Sequence, residues 1–174
     1  IDKPMEQLSR IVSEMQIKNE ELKNFIKPNE VKKEFFLDEI VMESLQMLED
    51  TFMNHDIKID YNFSKSINLY GFPAEITQVI FSILENAKEA LIEKNIVSKK
   101  VFISIKKDKD FAYINIVDNA GGVSSSIVNS IFEPYFTTKK YKKASGLGLF
   151  ISKIIIEENM QGKLEFENAS EGAK

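Results

Sequence analysis

The sequence predicts an α+β fold: a two-layer sandwich of helices on a mixed, mostly antiparallel sheet, preceded by one N-terminal helix. Three observations carry that reading. Ile57, Ile59, Tyr61 and Phe63 alternate with polar residues, which is the period of a half-buried strand. Residues 101–107 and 111–118 alternate in the same way around the polar tip 107–110, so they predict an antiparallel hairpin. Segments 38–54, 73–95 and 146–160 instead space their apolar residues three and four apart, the period of a helix with one buried face.

Taken in order, residues 1–27 predict a helix whose Met5, Leu8, Val12, Met15, Leu22 and Ile26 form a heptad seam, with Asn19 at its one polar position. A stripe that narrow needs a partner helix, so a homodimer through 1–27 is expected; packing of the same face on its own domain is the alternative. Pro28 and Asn29 end the helix, because proline lacks the N–H and restricts the residue before it. This divides the chain into 1–34, helix and linker, and 35–174, the globular part. Residues 35–37 predict a short strand, and Asp38 is placed to cap the helix to about Asn54. Residues 67–70 predict another strand, broken by Gly71, and Pro73 suits the first turn of the long helix to about Asn95. After a loop at 119–126, a short helix is expected over 127–132, then an aperiodic segment at 135–145. Helix 146–160 and a last strand at 163–167 complete the chain.

Composition removes several chemistries. The chain has 174 residues, 43% hydrophobic and 29% charged, which suits one globular domain with an appended element. Its net charge of −4 provides no overall basic field for nucleic acid or an anionic membrane. It contains no cysteine, so disulfides, thiolate metal sites and cysteine nucleophiles are excluded. The single histidine, His55, rules out a multi-histidine zinc site. No apolar run reaches the roughly 18 residues of a membrane span. The chain starts at Ile1 rather than methionine, so a fragment is expected, and its parent could carry a membrane anchor.

Three stretches carry residues suited to a phosphorylated ligand. On the helix at 73–95, Gln78, Ser82, Glu85, Asn86 and Glu89 share the face opposite the apolar stripe. That face is solvated in most amphipathic helices, yet the Asn86 amide oxygen suits a hard cation that shares phosphate oxygens. Asp118 ends a strand and opens Asp118-Asn119-Ala120-Gly121-Gly122-Val123, where a carboxylate can accept from an exocyclic amine and glycines let backbone approach a flat ring. An ordinary turn would use the same residue types. Gly146-Leu147-Gly148-Leu149 opens a helix whose free N–H groups could meet a phosphate, with Ser145 as the alternative cap. Lys139, Lys140, Lys142 and Lys143 precede it and would neutralise a triphosphate, or form a solvated basic loop.

The order of these stretches, with Phe132-Glu133-Pro134-Tyr135-Phe136-Thr137-Thr138-Lys139 between the last two, resembles the ATP-binding catalytic domain of bacterial sensor histidine kinases. That family belongs to the superfamily shared with type II topoisomerase ATPases, mismatch-repair clamps and ninety-kilodalton heat-shock chaperones. The likeness covers about 35–174. Residues 83–90 resemble the family's N box, 118–123 its first glycine box, 132–139 its F box and 146–149 its second glycine box.

The resemblance implies a Bergerat-type sandwich using ATP and Mg2+. It assigns magnesium to Asn86, the adenine amine to Asp118, a water-mediated approach to the base to Gly122, and phosphates to the amides of Gly146, Leu147, Gly148 and Leu149. Val123 and Ile131 become apolar walls beside the base. Residues 137–145 become a lid, and Glu89, Thr138, Lys139 and Ser145 join the nucleotide-contacting set. Helix 1–27 is similar to the second helix of the family's dimerisation and phosphoacceptor region. The phosphorylated histidine is then absent, and His55 does not replace it, so the chain alone is not expected to autophosphorylate. The implied partners are a phosphoacceptor histidine domain and a response regulator receiver domain, with no nucleic acid, in a bacterial cytoplasm.

The sequence departs from the pattern at four positions. Ser82 stands where the family often has an asparagine and the topoisomerase branch its water-activating glutamate. Glu89 replaces a phosphate-contacting lysine common in kinases, and Ala120 and Ala144 replace glycines. A nucleotide-gated clamp or chaperone is the second reading, and ATP-dependent dimerisation with steady hydrolysis would distinguish it. A dimer-forming module without nucleotide is the third, and stabilisation by ATP and magnesium would exclude it.

Overall fold

The computed structural model describes residues 31–63, 65–138, 145–170 and 172–174. The helix and dimer seam expected over 1–27, and most of the lid at 137–145, lie outside the described residues. The elements are β1 (Lys33–Phe36), α1 (Leu37–Asn54), β2 (Ile57–Phe63), β3 (Asn68–Gly71), α2 (Pro73–Glu93), β4 (Lys99–Lys107), β5 (Ala112–Asp118) and α3 (Gly148–Ile154). A 3-10 turn spans Val128–Ser130, and a π-helical turn, Ile155–Asn159, continues α3.

The architecture is the expected α+β one, with two of its three described strand pairings antiparallel. β1 pairs with β3 antiparallel, from Lys33 opposite Gly71 to Phe36 opposite Asn68. β4 is the middle of a three-stranded sheet ordered β2-β4-β5, parallel to β2 and antiparallel to β5. The predicted hairpin is therefore present, with Val101 opposite Asp118.

α1 and α2 form the second layer because each has one continuous apolar face. Ile40, Val41, Leu45, Leu48 and Phe52 of α1 and Ile76, Ile80, Leu84, Ala87 and Leu91 of α2 are buried against Val101, Ile103 and Ile105 of β4. At about 25 cal/mol per Å2 of apolar surface removed from water, each buried Val, Leu, Ile or Phe among them contributes roughly 1.5–3 kcal/mol before conformational entropy is counted. Val79 and Ile155 seed a smaller cluster that locks α3 and the π turn onto α2. Asn159 Nδ2 reinforces it, donating to both Glu75 carboxylate oxygens at 3.1 and 3.0 Å. Among the described residues no helix is long and apolar enough to cross a membrane.

Several sequence expectations need correction. Asp38 does not cap α1; the cap position is Phe36, and Asp38 in the first turn accepts from Ser66 Oγ and the Ile67 N–H at 2.8 and 3.3 Å. Asp38 thus ties the helix start to the approach to β3, a long-range use that outweighs a local cap. Gly71 does not break β3 but ends it in register with Lys33, where a Cβ would collide with the Met160 side chain. The short helix expected over 127–132 contracts to the 3-10 turn. Helix 146–160 starts two residues later, at Gly148, and loosens to π hydrogen bonding at Ile155. The strand expected over 163–167 is not one. Its polar residues Lys163 and Glu165 pair with each other at 2.6 Å, and Glu167 and Asn168 instead fold back on Lys174 and Ala173.

Candidate nucleotide-binding site

α2 exists as a helix because Pro73 sits at its first turn and its apolar residues recur at helical spacing. Burial of that stripe turns the polar residues outward, and Ser82, Glu85, Asn86 and Glu89 all end half-buried. Lys88 Nζ contacts both Glu85 oxygens at 2.7 Å, so that carboxylate is already neutralised. Among the described residues the Asn86 side chain has no such commitment, so its amide oxygen keeps its acceptor capacity. No group of three or more His, Asp or Glu suited to a metal occurs among the described residues. An amide and phosphate oxygens fit magnesium, which keeps several waters and takes few protein ligands.

Asp118 is the end of β5 and is buried, at 9% exposure. Its Oδ1 accepts from the Ala120 N–H at 2.8 Å and the Ala173 N–H at 3.3 Å. Both bonds hold Oδ1, and no donor among the described residues engages Oδ2. The loop that follows is held at its base by Asn119. Its Oδ1 accepts from the Lys100 N–H at 2.8 Å and its Nδ2 donates to the Ser98 carbonyl at 2.7 Å. Gly121 and Gly122 have φ of 77° and 68°, the left-handed region that glycine enters without Cβ strain. Gly122 is tied back to the end of α2, because Lys94 Nζ donates to its carbonyl at 2.6 Å.

The second glycine stretch meets both neighbours. Gly146, at φ 65°, lies so close to the 135–136 backbone that a Cβ would sit 2.7 Å from the Phe136 carbonyl oxygen. A Cβ on Gly148 would sit 2.7 Å from Ser82 Oγ, one helical turn before Asn86. The 135–136 backbone thus demands glycine at 146, while at 148 the crowding atom is the Ser82 hydroxyl on α2. Ser145 is not the helix cap; its Oγ accepts from the Leu147 N–H at 3.3 Å, and the cap position is Leu147. That N–H is therefore already engaged, while α3 starts at Gly148. Lys153 Nζ stands 4.9 Å over the Phe132 ring, joining α3 to the segment before it.

The structure therefore links Asn86 and Gly148 through Ser82, and Gly122 to α2 through Lys94. Val123 is half-buried in the Asp118 loop, Ile131 is half-buried just after the 3-10 turn, and Leu149 is half-buried in α3. Thr138 is exposed at the edge of the described segment, and Lys139 lies outside the described residues. His55 is exposed at the end of α1, away from these stretches in the chain. Sequence reasoning missed Lys94, Asn168 and Ala173. Their bonds to the loop bridge 28 residues for Lys94, 45 for Asn168 and 55 for Ala173, and periodicity carries no signal for such pairings.

Comparison with known proteins places the chain beside one family. The family model described as "Histidine kinase-, DNA gyrase B-, and HSP90-like ATPase" matches residues 71–174. The two-component sensor PprA of Pseudomonas aeruginosa is 31% identical over 134 residues, which is 75% of this chain and 14% of that one. Sporulation kinase A of Bacillus subtilis is 30% identical over 144 residues, 82% of this chain and 23% of that one. The chain thus spans 14% and 23% of these curated relatives. The nucleotide-free catalytic domain of histidine kinase ThkA superposes with a TM-score of 0.73 at 25% identity, covering 83% of this chain and 91% of that one.

Proposed function

Because the chain belongs to the histidine kinase-, DNA gyrase B- and HSP90-like ATPase family, as the ATP-binding catalytic domain of a sensor histidine kinase, we propose that it binds ATP with magnesium across Asn86, Asp118 and the 146–149 amides, and presents the γ-phosphoryl group to a histidine on a phosphoacceptor domain. One observation carries the reading. Asp118 holds a buried carboxylate by one oxygen and leaves the other open, beside two left-handed glycines that admit a flat ring.

Each group then has a task. Asp118 accepts from the adenine amine, Gly122 approaches the base, and Val123 and Ile131 flank it. Asn86 would help hold the magnesium, which would supply charge neutralisation on the phosphates. The Gly146, Gly148 and Leu149 amides face phosphate oxygens, while Leu147 contributes after Ser145 Oγ releases its N–H. Glu89 lies along α2 on the same face, and Thr138 and Lys139 belong to the lid over the triphosphate. In the transfer the bond from the γ phosphorus to the bridging oxygen breaks, a phosphorus–nitrogen bond to the histidine forms, and ADP leaves. Catalysis is then positioning and electrostatics rather than covalent chemistry by this domain. Ser82 cannot act as a carboxylate base toward water, which favours transfer over hydrolysis.

The same reading assigns 1–34 to the dimerisation region and its linker, and 35–174 to the catalytic domain. It gives a homodimer through 1–27, a response regulator receiver domain as the next acceptor, and a cytoplasmic location. The experiment mixes the chain with a histidine-bearing phosphoacceptor domain and radiolabelled ATP. Acid-labile, alkali-stable label on that histidine supports the proposal. Nucleotide binding without any labelling contradicts the transfer.

A further inference from the structure

The loop that follows Asp118 is held from outside by the C-terminal segment, and the contact is unusually complete at one residue. Asn168 Oδ1 accepts from the Val123 N–H at 2.8 Å, and Asn168 Nδ2 donates to the Val123 carbonyl at 2.9 Å. One side-chain amide therefore satisfies both backbone groups of Val123, in the manner of a paired strand. The approach is close enough that a Cβ on Gly122 would collide with Asn168 Oδ1. Asn168 is itself placed by a tight return: Ala169 N–H donates to the Gly172 carbonyl at 2.8 Å, and Glu167 and Lys174 exchange backbone bonds at 2.8 and 2.9 Å. Gly172 is packed so tightly that a Cβ would collide with the Asp118 carbonyl. Lys94 Nζ holds the Gly122 carbonyl at 2.6 Å.

We infer that Asn168 is a positioning residue for base recognition, acting through Val123 to keep the left-handed Gly121-Gly122 backbone at the distance from Asp118 that an adenine ring requires. The inference rests on the nucleotide-binding reading above. Gly122 and Val123 have no regular ladder of their own, and left-handed glycines are the softest backbone in the loop. Without the Asn168 amide, the N–H and carbonyl of Val123 turn to water, and the loop no longer holds the ring in place against Asp118, which reads the purine edge. Triphosphate contacts at Asn86 and 146–149 are on other elements and do not depend on Asn168.

The test compares the unmutated chain with Asn168→Ala and Asn168→Asp. Each is titrated with a non-hydrolysable ATP analogue, the matching GTP analogue and inorganic tripolyphosphate, all with magnesium, and melting is recorded in parallel. Loss of both hydrogen bonds to the Val123 backbone sets the expectation for Asn168→Ala. Its ATP-analogue affinity falls roughly tenfold, its preference for adenine over guanine shrinks by about the same factor, and tripolyphosphate binding is unchanged. Asn168→Asp keeps the acceptor but sets a carboxylate against the Val123 carbonyl, so it too loses preference, even if Asn168→Ala proves too unstable to titrate. Undiminished base preference in a folded variant, while the unmutated chain binds the ATP analogue, overturns the inference and leaves the nucleotide reading standing. Failure of the unmutated chain to bind overturns the nucleotide reading, and the inference with it.

Discussion

Asp118 and Ala173 bond each other twice: the Asp118 N–H donates to the Ala173 carbonyl at 3.0 Å, and the Ala173 N–H donates to Asp118 Oδ1 at 3.3 Å. The carboxylate at the end of β5 is thereby aimed by a segment 55 residues away, and its Oδ2 meets no donor among the described residues. Asp118→Asn keeps the shape but presents N–H groups where an adenine amine also donates. A hydrogen bond to a charged group is worth about 1.5–3 kcal/mol, so ATP-analogue affinity is expected to fall roughly ten- to a hundredfold by calorimetry. Unchanged affinity would remove Asp118 from base recognition.

Asn86→Ala probes the metal side separately. The unmutated chain should bind the ATP analogue more tightly with magnesium than with a chelator present. In the variant that increment should shrink by about tenfold, while binding without metal stays as it was. An intact increment would assign the magnesium contact to another group.

Core packing offers a control independent of ligand. Leu91 is fully buried between α2 and the sheet. Leu91→Ala should cost about 2–5 kcal/mol in denaturant unfolding, the transfer free energy plus an unfilled cavity. A cost below about 1 kcal/mol would show that the α2 face is looser than this packing implies.

At the β4–β5 tip, the Phe111 N–H, the Tyr113 hydroxyl and the Asp110 N–H all donate to Asp108 and hold its pKa below the ordinary carboxylate value. The folded state therefore binds fewer protons there than the unfolded state, and the stabilisation present above the unfolded value is lost as pH falls through the folded one. The bond to Asp108 raises the Tyr113 pKa, with the opposite consequence: its contribution is present below the unfolded tyrosine value and lost as pH rises through the folded one. Asp108→Asn should flatten the acid limb of stability slightly, and a carboxyl titration by NMR would show the lowered midpoint. A midpoint at the ordinary value would refute the turn geometry.

The sequence resolved what periodicity can resolve. α1, α2 and the β4–β5 hairpin were legible because alternation and three-and-four spacing report which face is buried, and polar residues 107–110 mark the turn. Periodicity says nothing of partners, so the parallel pairing of β2 with β4 and the β1–β3 pairing were not legible. Segment 163–167 shows a strand-like alternation, but among the described residues only its last residue, Glu167, finds backbone partners, in Lys174. Asn168 and Ala173 instead hold Val123 and Asp118, through pairings too distant for local pattern. The glycine requirement at 146 and 148 was visible as a motif, yet its cause, crowding by Phe136 and Ser82, exists only in three dimensions.

The central claim is that Asn86, the 118–123 loop and the 146–149 helix start serve one nucleotide. Titration of isotopically labelled protein with the ATP analogue and magnesium, followed by backbone and side-chain amide resonances, tests it most directly. Signals from all three stretches should move together along a single saturable curve, with those of α1 left in place. Shifts confined to one stretch, separate curves for the three, or no shifts at saturating nucleotide would contradict it.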